Sequence, residues 1–152
     1  MQNASPSRGR RLDEIAEALP QRATAISRLF LQNASVEVSR TEVGVLRRLL
    51  ERPSRITELA AAEGVTQPGI TMLVNRLEER GWVERGPDPN DGRAVLVSLT
   101  DEGRDIFEKL RAEYRALLHE EMATLPDEDV AALARAVDVL DELIDRLRER
   151  AG

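Results

Sequence analysis

Four polar residues between Thr66 and Arg80 have the spacing of one working face. Gln67, Thr71 and Asn75 recur at intervals of four, and Arg76 follows directly. On a helix such residues share a stripe. Their chemistry is that of reading a nucleic acid. The carboxamides of Gln67 and Asn75 can pair with an adenine edge, and the methyl of Thr71 can meet a thymine methyl. Arg76 can reach phosphate or guanine. Pro68 and Met72 share this exposed side, and Met72 adds only an apolar contact. A second group follows in the turn-rich stretch GPDPNDGR, where Asp91 and Arg93 are two residues apart. On a regular hairpin that spacing puts both on one side. Asp91 also suits a turn in which its carboxylate caps its own backbone.

The elements that must hold these residues follow from the surrounding pattern. Residues 56–63 read as a short helix with Ile56, Leu59 and Ala60 on one face, broken by Gly64. Residues 66–80 read as a second helix. Thr66 is its N-cap, Pro68 sits harmlessly in the first turn, and Ile70, Leu73, Val74 and Leu77 form the buried stripe. After Gly81 the period changes to two. Residues 82–85 and 94–99 read as strands, with Val95, Val97 and Leu99 on one face and GPDPNDGR as the loop. Helix, turn, helix and hairpin in this order make a winged helix-turn-helix. Its second helix enters a DNA major groove and its hairpin reaches the flanking groove.

The same residues carry a family resemblance. GVTQPGITMLVNRLEERGWVER, followed by DPNDGRAVLVSLTDEG, resembles the MarR family of bacterial transcriptional regulators. The second piece is the more specific, with its Asp-Pro tip, Asp91-x-Arg93, Val/Leu strand and Leu-Thr-x-x-Gly entry to the next helix. The motif match lies within residues 56–103, and the general likeness runs from about Leu12 to Leu147. The resemblance implies that Arg93 enters a minor groove, where a narrow groove has enhanced negative potential, and that Asp91 orients it. It also implies a homodimer on an inverted-repeat operator, acting as a repressor released by a small aromatic or phenolic effector. Leu46, Leu50, Ile106 and Leu110, with Leu12 and Ile15, are the expected aliphatic pocket wall. Met72 stands where relatives often carry a basic residue.

The flanks read as helical. Residues 12–33 carry Leu12, Ile15, Leu19, Ala23, Ile26 and Phe30, with Pro20 expected to kink or split the helix. Residues 41–51 form another helix, with Thr41 as its expected cap. Thr100 caps the longest helix, to about Thr124, whose apolar stripe is Ile106, Leu110, Tyr114, Leu117 and Leu118. In the last helix Val130, Leu133, Val137, Leu140, Ile144 and Leu147 are spaced 3, 4, 3, 4, 3. That is a heptad seam, which seeks another helix along its length. A second copy of the chain is the simplest partner. With Leu12, Ile15 and Leu19, these six are the candidate dimerisation residues.

The expected architecture is therefore mainly α with a small β-hairpin wing. Residues 41–100 form the DNA-binding lobe, residues 12–40 and 101–152 the helical dimerisation region, and residues 1–11 a flexible tail. The 152-residue chain has no cysteine, which removes disulfides, thiol catalysis and cysteine-metal sites. It has one histidine, His119, and no nucleophile–base pair or phosphate loop, so neither a metal, a cofactor nor an enzyme is expected. No apolar run is long enough for a bilayer and no signal peptide precedes the domain; the expected location is cytoplasmic. Trp82 reads as a core residue. The net charge of −6 argues against nucleic acid at first sight, but screening within about 10 Å makes local placement decisive. The alternative consistent with an acidic surface is a winged-helix module that binds a protein and not DNA.

Overall fold

The computed structural model describes residues 7–151. Six helices and three short strands follow in the order α1 (Arg8–Asn33), α2 (Arg40–Glu51), β1 (Ser54–Arg55), α3 (Ile56–Glu63), α4 (Gln67–Glu79), β2 (Val83–Asp88), β3 (Asp91–Leu99), α5 (Asp101–Met122) and α6 (Asp127–Ala151). They fall into two compact units, residues 1–112 and 113–152.

The first unit holds the winged helix-turn-helix. Helix α2 begins on a reciprocal cap. Ser39 Oγ accepts from the Glu42 N–H, and the Glu42 carboxylate accepts from the Ser39 N–H at 2.7 Å. The cap is therefore Ser39 and not Thr41, because only Ser39 has a Glu three residues on to close the box. Gly64 ends α3 in the left-handed region, at φ 64°. Thr66 caps α4 by accepting from the Gly69 N–H. The interior is built from Val45, Leu46 and Leu49 of α2, Leu59 of α3, Ile70, Val74 and Leu77 of α4, and Val83 and Val97 of the sheet. Trp82 and Phe107 are buried with them.

The sheet departs from the expected hairpin in two ways. It has a third strand: Ser54 and Arg55 pair with Val97 and Leu96, giving the order β1-β3-β2. The hairpin is also longer, with β2 and β3 running to a turn at Pro89 and Asn90. Its register is regular from Val83–Leu99 to Pro87–Val95 and then jumps to Asp88–Asp91. Gly92, Arg93 and Ala94 thus have no partner on β2. A bulge of this kind breaks the two-residue alternation and re-aims the side chains it contains. Val95 and Val97 lie on the regular side of this break and alternate regularly, on one face as expected; Val97 is fully buried while Val95, one step farther along the wing, is exposed.

Helix α5 is seated on the end of the wing. The Thr100 hydroxyl donates to the Gly81 carbonyl at 2.6 Å and accepts from the Gly103 N–H at 3.0 Å. The Thr100 N–H donates to the Trp82 carbonyl. Gly103 faces that same carbonyl so closely that a β-carbon would not fit. The Leu-Thr-x-x-Gly sequence is thus a packing requirement. Phe107, one turn on, is the buried residue of this helix, and Ile106 is only half-buried.

At the chain's start, Ser7 caps α1 and Arg8–Arg11 are helical, so four of the eleven residues expected in a tail belong to the helix; residues 1–6 lie outside the described residues. Pro20 does not split α1, which is one continuous helix. Helix α6, in the second unit, has no buried residue among those described. Its seam is open to solvent in the single chain: Val130, Leu133, Ile144 and Leu147 are all exposed, and Val137 is 56% exposed. Helix α1 likewise shows Leu12, at 55%, and Ile15, while Leu19 is half-buried. No helix among the described residues is long and apolar enough to cross a membrane.

Candidate nucleic-acid interface

Helix α4 buries Ile70, Leu73, Val74 and Leu77 and turns its other side outward. Thr66, Gln67, Pro68, Thr71, Met72, Asn75 and Arg76 are all exposed, Met72 at 64%. The predicted face is therefore assembled as a continuous polar ridge with an apolar centre. Its members are not equally free. The Thr71 hydroxyl donates to the Gln67 carbonyl at 2.9 Å, which commits its proton and leaves the methyl for a base. The Asn75 side-chain oxygen accepts from Arg85 Nη2 at 2.6 Å. Arg76 Nε lies 3.8 Å from the buried Glu42 carboxylate, so the cap of α2 steadies the reading helix.

The wing is braced beside its tip turn. Arg55 of β1 donates to Asp88 Oδ2 through both Nε, at 3.1 Å, and Nη2, at 2.6 Å. Its Nη2 also lies 3.5 Å from Asp91. Asp88 is only 7% exposed. The Asn90 N–H and then the Arg55 guanidinium hold its carboxyl below the usual aspartate range, and Asp88 in turn raises the Arg55 pKa. Asp91 Oδ1 accepts from the Arg93 N–H at 3.2 Å. Asp91 thus closes a turn on its own backbone and pairs with Arg55; it makes no contact with the Arg93 guanidinium. The bulge is the reason, since it removes Arg93 from the alternation that would have set the two side by side.

Of the arginines at α4 and the wing, Arg76, Arg80 and Arg85 are each engaged within the protein. Arg76 is tethered to Glu42. Arg80 donates to the Glu37 carbonyl and stacks on Trp82, 4.7 Å from the ring centre. Arg85 is held by Asn75 and Glu78. Among the described residues, Arg93 is the one guanidinium of this set with no hydrogen bond or ion pair. It stands exposed at the bulge, which makes it the cation most available to a phosphate-lined groove. Trp82 is core, as its sequence position suggested. Sequence reasoning missed Arg55, Asp88 and Arg85. The signal for Arg55 was slight, a two-residue extended stretch between Pro53 and the next helix.

The four residues of the expected effector wall are in two settings. Leu46 and Leu110 are packed in the interior, whereas Leu50 and Ile106 are half-buried. An open groove of about 410 Å³ on α1, lined by Pro20, Gln21, Thr24, Ala25 and Arg28, includes none of them. His119 is exposed, and among the described residues no three His, Asp or Glu side chains are grouped to hold a metal ion.

An exposed polar helix beside a braced hairpin with one free arginine defines the winged helix-turn-helix class of DNA-binding proteins. The sequence pattern of the MarR family matches residues 37–94. An uncharacterized HTH-type transcriptional regulator of Mycobacterium bovis is 32% identical over 139 residues, which cover 88% of this chain and 97% of that protein. The multiple antibiotic resistance protein MarR of Escherichia coli is 40% identical over 77 residues, 50% of this chain and 54% of that protein. The structure of wild-type Escherichia coli MarR in its apo form aligns with a TM-score of 0.65 at 27% identity, over 90% of this chain and 98% of that one. A MarR family protein from Bacillus stearothermophilus shares the fold, with a TM-score of 0.74 at 22% identity over 92% and 99% of the two chains. The chain belongs to the MarR family and is a DNA-binding transcriptional regulator. Its relatives are regulators and not enzymes, and they do not favour the alternative of a protein-interaction module.

Proposed function

We propose that this protein is a homodimeric repressor that binds an inverted-repeat operator and is released by a small aromatic or phenolic effector. Arg93 carries the reading, as the uncommitted guanidinium set at a bulge on the wing tip. Each subunit lays α4 in a major groove and sends Arg93 into the adjoining minor groove. Gln67, Thr71, Met72 and Asn75 face base edges, while Thr66, Pro68 and Arg76 lie along the backbone. Two such helices about one helical turn apart, roughly 34 Å, require a repeat with twofold symmetry.

The dimer is supported by the open seams of α1 and α6. Removing a half-exposed aliphatic side chain from water is worth roughly 1 kcal/mol, and the seam of α6 alone presents Val130, Leu133, Val137, Ile144 and Leu147. A second copy offers the same stripe in return. The effector binds against aliphatic walls that include Leu50 and Ile106, with Leu46 and Leu110 packed behind them. Its binding favours a dimer in which the two reading helices no longer match the groove spacing, a shift between two populations.

Fluorescence anisotropy on the DNA upstream of its own gene, with unrelated DNA as competitor, tests the reading. Wild type should bind tightly and resist the competitor. Arg93→Ala should bind at least about tenfold more weakly, since a dimer loses two groove contacts of about 1 kcal/mol or more each. Unchanged affinity in Arg93→Ala would remove the wing from the mechanism, and wild-type binding no tighter than to unrelated DNA, there and after random-sequence selection, would remove DNA specificity.

A further inference from the structure

Two residues of the α4 face have part of their hydrogen-bonding capacity taken by the protein itself, and one of these bonds decides what can be read. Arg85 lies on β2 and is mostly shielded, its side chain 26% exposed. Its Nη1 is held by the Glu78 carboxylate and its Nη2 by Asn75 Oδ1. A guanidinium carries donors only, so the atom it grips must be the carboxamide oxygen. The Asn75 amide nitrogen is left with its two N–H groups to offer. An asparagine that reads adenine needs both atoms: the nitrogen donates to N7 and the oxygen accepts from N6. Here that oxygen is already drawn toward the wing by a charged donor, and charged hydrogen bonds are about twice as strong as neutral ones.

We propose that Arg85 is a specificity-determining residue: it fixes the Asn75 carboxamide as a donor, so that Asn75 reads an acceptor edge of guanine or thymine rather than adenine. Resting on the DNA-binding reading above, this assigns a specificity to a residue type that by itself points to adenine. It also couples the wing to the reading helix, because a displacement of β2 would release the oxygen and change which base is preferred.

Random-sequence selection with the full-length protein tests this. Asn75→Ala identifies the base pair that Asn75 faces, as the position where preference collapses. At that position wild type should enrich guanine or thymine. Arg85→Met keeps the stem but removes the donors; adenine there should gain roughly fivefold relative to wild type, with other positions unchanged. Asn75→Asp keeps a partner for Arg85 and exchanges the donors for an acceptor, so it should move the preference to cytosine, and it serves as an independent test should Arg85→Met fail to fold. Adenine at that position in wild type, an unaltered preference in a folded Arg85→Met protein, or guanine or thymine retained in Asn75→Asp would each overturn the proposal. Wild type that enriches an inverted repeat while a folded Arg85→Met protein selects the same one overturns this inference alone. Wild type that enriches no sequence overturns it together with the DNA-binding reading.

Discussion

Replacing Gly103 by alanine adds one methyl group where α5 meets the wing, and its cost can be worked from the geometry. A β-carbon at this position would press into the Trp82 carbonyl oxygen. It would lie 2.8 Å from the carbonyl carbon and 2.9 Å from Leu99 Cδ1, against an ordinary carbon–carbon separation of about 3.5–4.0 Å. Leu99 can turn aside. The carbonyl cannot, because it accepts the Thr100 N–H at 3.1 Å and belongs to the backbone that joins α4 to β2. Overpacking a rigid site costs about 1–3 kcal/mol, and backbone on one side puts this position at the upper end. Alanine recovers about 1 kcal/mol of helix propensity over glycine. The net loss should be about 2 kcal/mol, a fall in Tm of about 4–8 °C for a chain of this size. Thermal unfolding followed by circular dichroism reads it, at fixed protein concentration because dimerisation adds to apparent stability. Gly9→Ala is the control: nothing lies within 4 Å of its added carbon, and its Tm should hold or rise slightly. A Gly103→Ala protein as stable as wild type would show that α5 is not seated on the Trp82 carbonyl.

Other predictions follow from the same contacts. Val137→Asp places a charge on the open seam of α6 and disturbs no interior contact of the single chain. Sedimentation should show monomers and operator binding should be lost, whereas a stable dimer would move the interface elsewhere. Few arginines of the reading surface are free, so the logarithmic salt slope of operator binding should be shallow. A slope steeper than about −9, implying ten or more phosphate contacts, would refute this. Asp88→Asn tests the brace of the wing by pH. The folded pKa of Asp88 is lowered, so its contribution is present above the ordinary aspartate pKa of about 3.9 and is lost as pH falls through the lower folded value. Asp88→Asn should therefore melt below wild type near pH 6, with the gap narrowing as acidification protonates Asp88; a gap that widened on acidification would show that the Arg55 pair is not its source.

The helices and the reading face were legible because their signals are local. Thr66, Gly64 and Gly81 punctuate the chain, and the apolar spacing of α4 alone fixed which residues turn outward. The wing was legible only in outline. Its register depends on a three-residue bulge at Gly92–Ala94, and nothing in a two-residue alternation announces where that alternation stops. The strand β1 was missed because two residues carry no period, and the Arg55–Asp88 pair because its members lie 33 positions apart. Helix α5 shows the same limit: Ile106 and Phe107 fit the stripe about equally well by spacing, and only the seating of Gly103 on Trp82 decides that Phe107 goes inside. The commitment of Asn75 to Arg85 lay equally beyond reach, since residue type suggests a partner without saying which atoms remain.

The unequal lengths of the three strands carry a cost beyond DNA reading. β1 pairs only with Leu96 and Val97, so β3 toward the wing tip has no neighbour on that side, and the bulge leaves Gly92–Ala94 without one on the other. Unpaired strand edges of this kind are templates on which another chain can add a strand. Val95, apolar and exposed, would favour such pairing. The charged groups that interrupt it are Asp91 and Arg93. The arginine assigned to the minor groove therefore also guards an edge, and its replacement by a small neutral residue removes that guard. Chains of Arg93→Ala should accordingly be more prone to associate through their wings in the absence of DNA, and the solubility of this variant is as much a reading of its edge as of its fold.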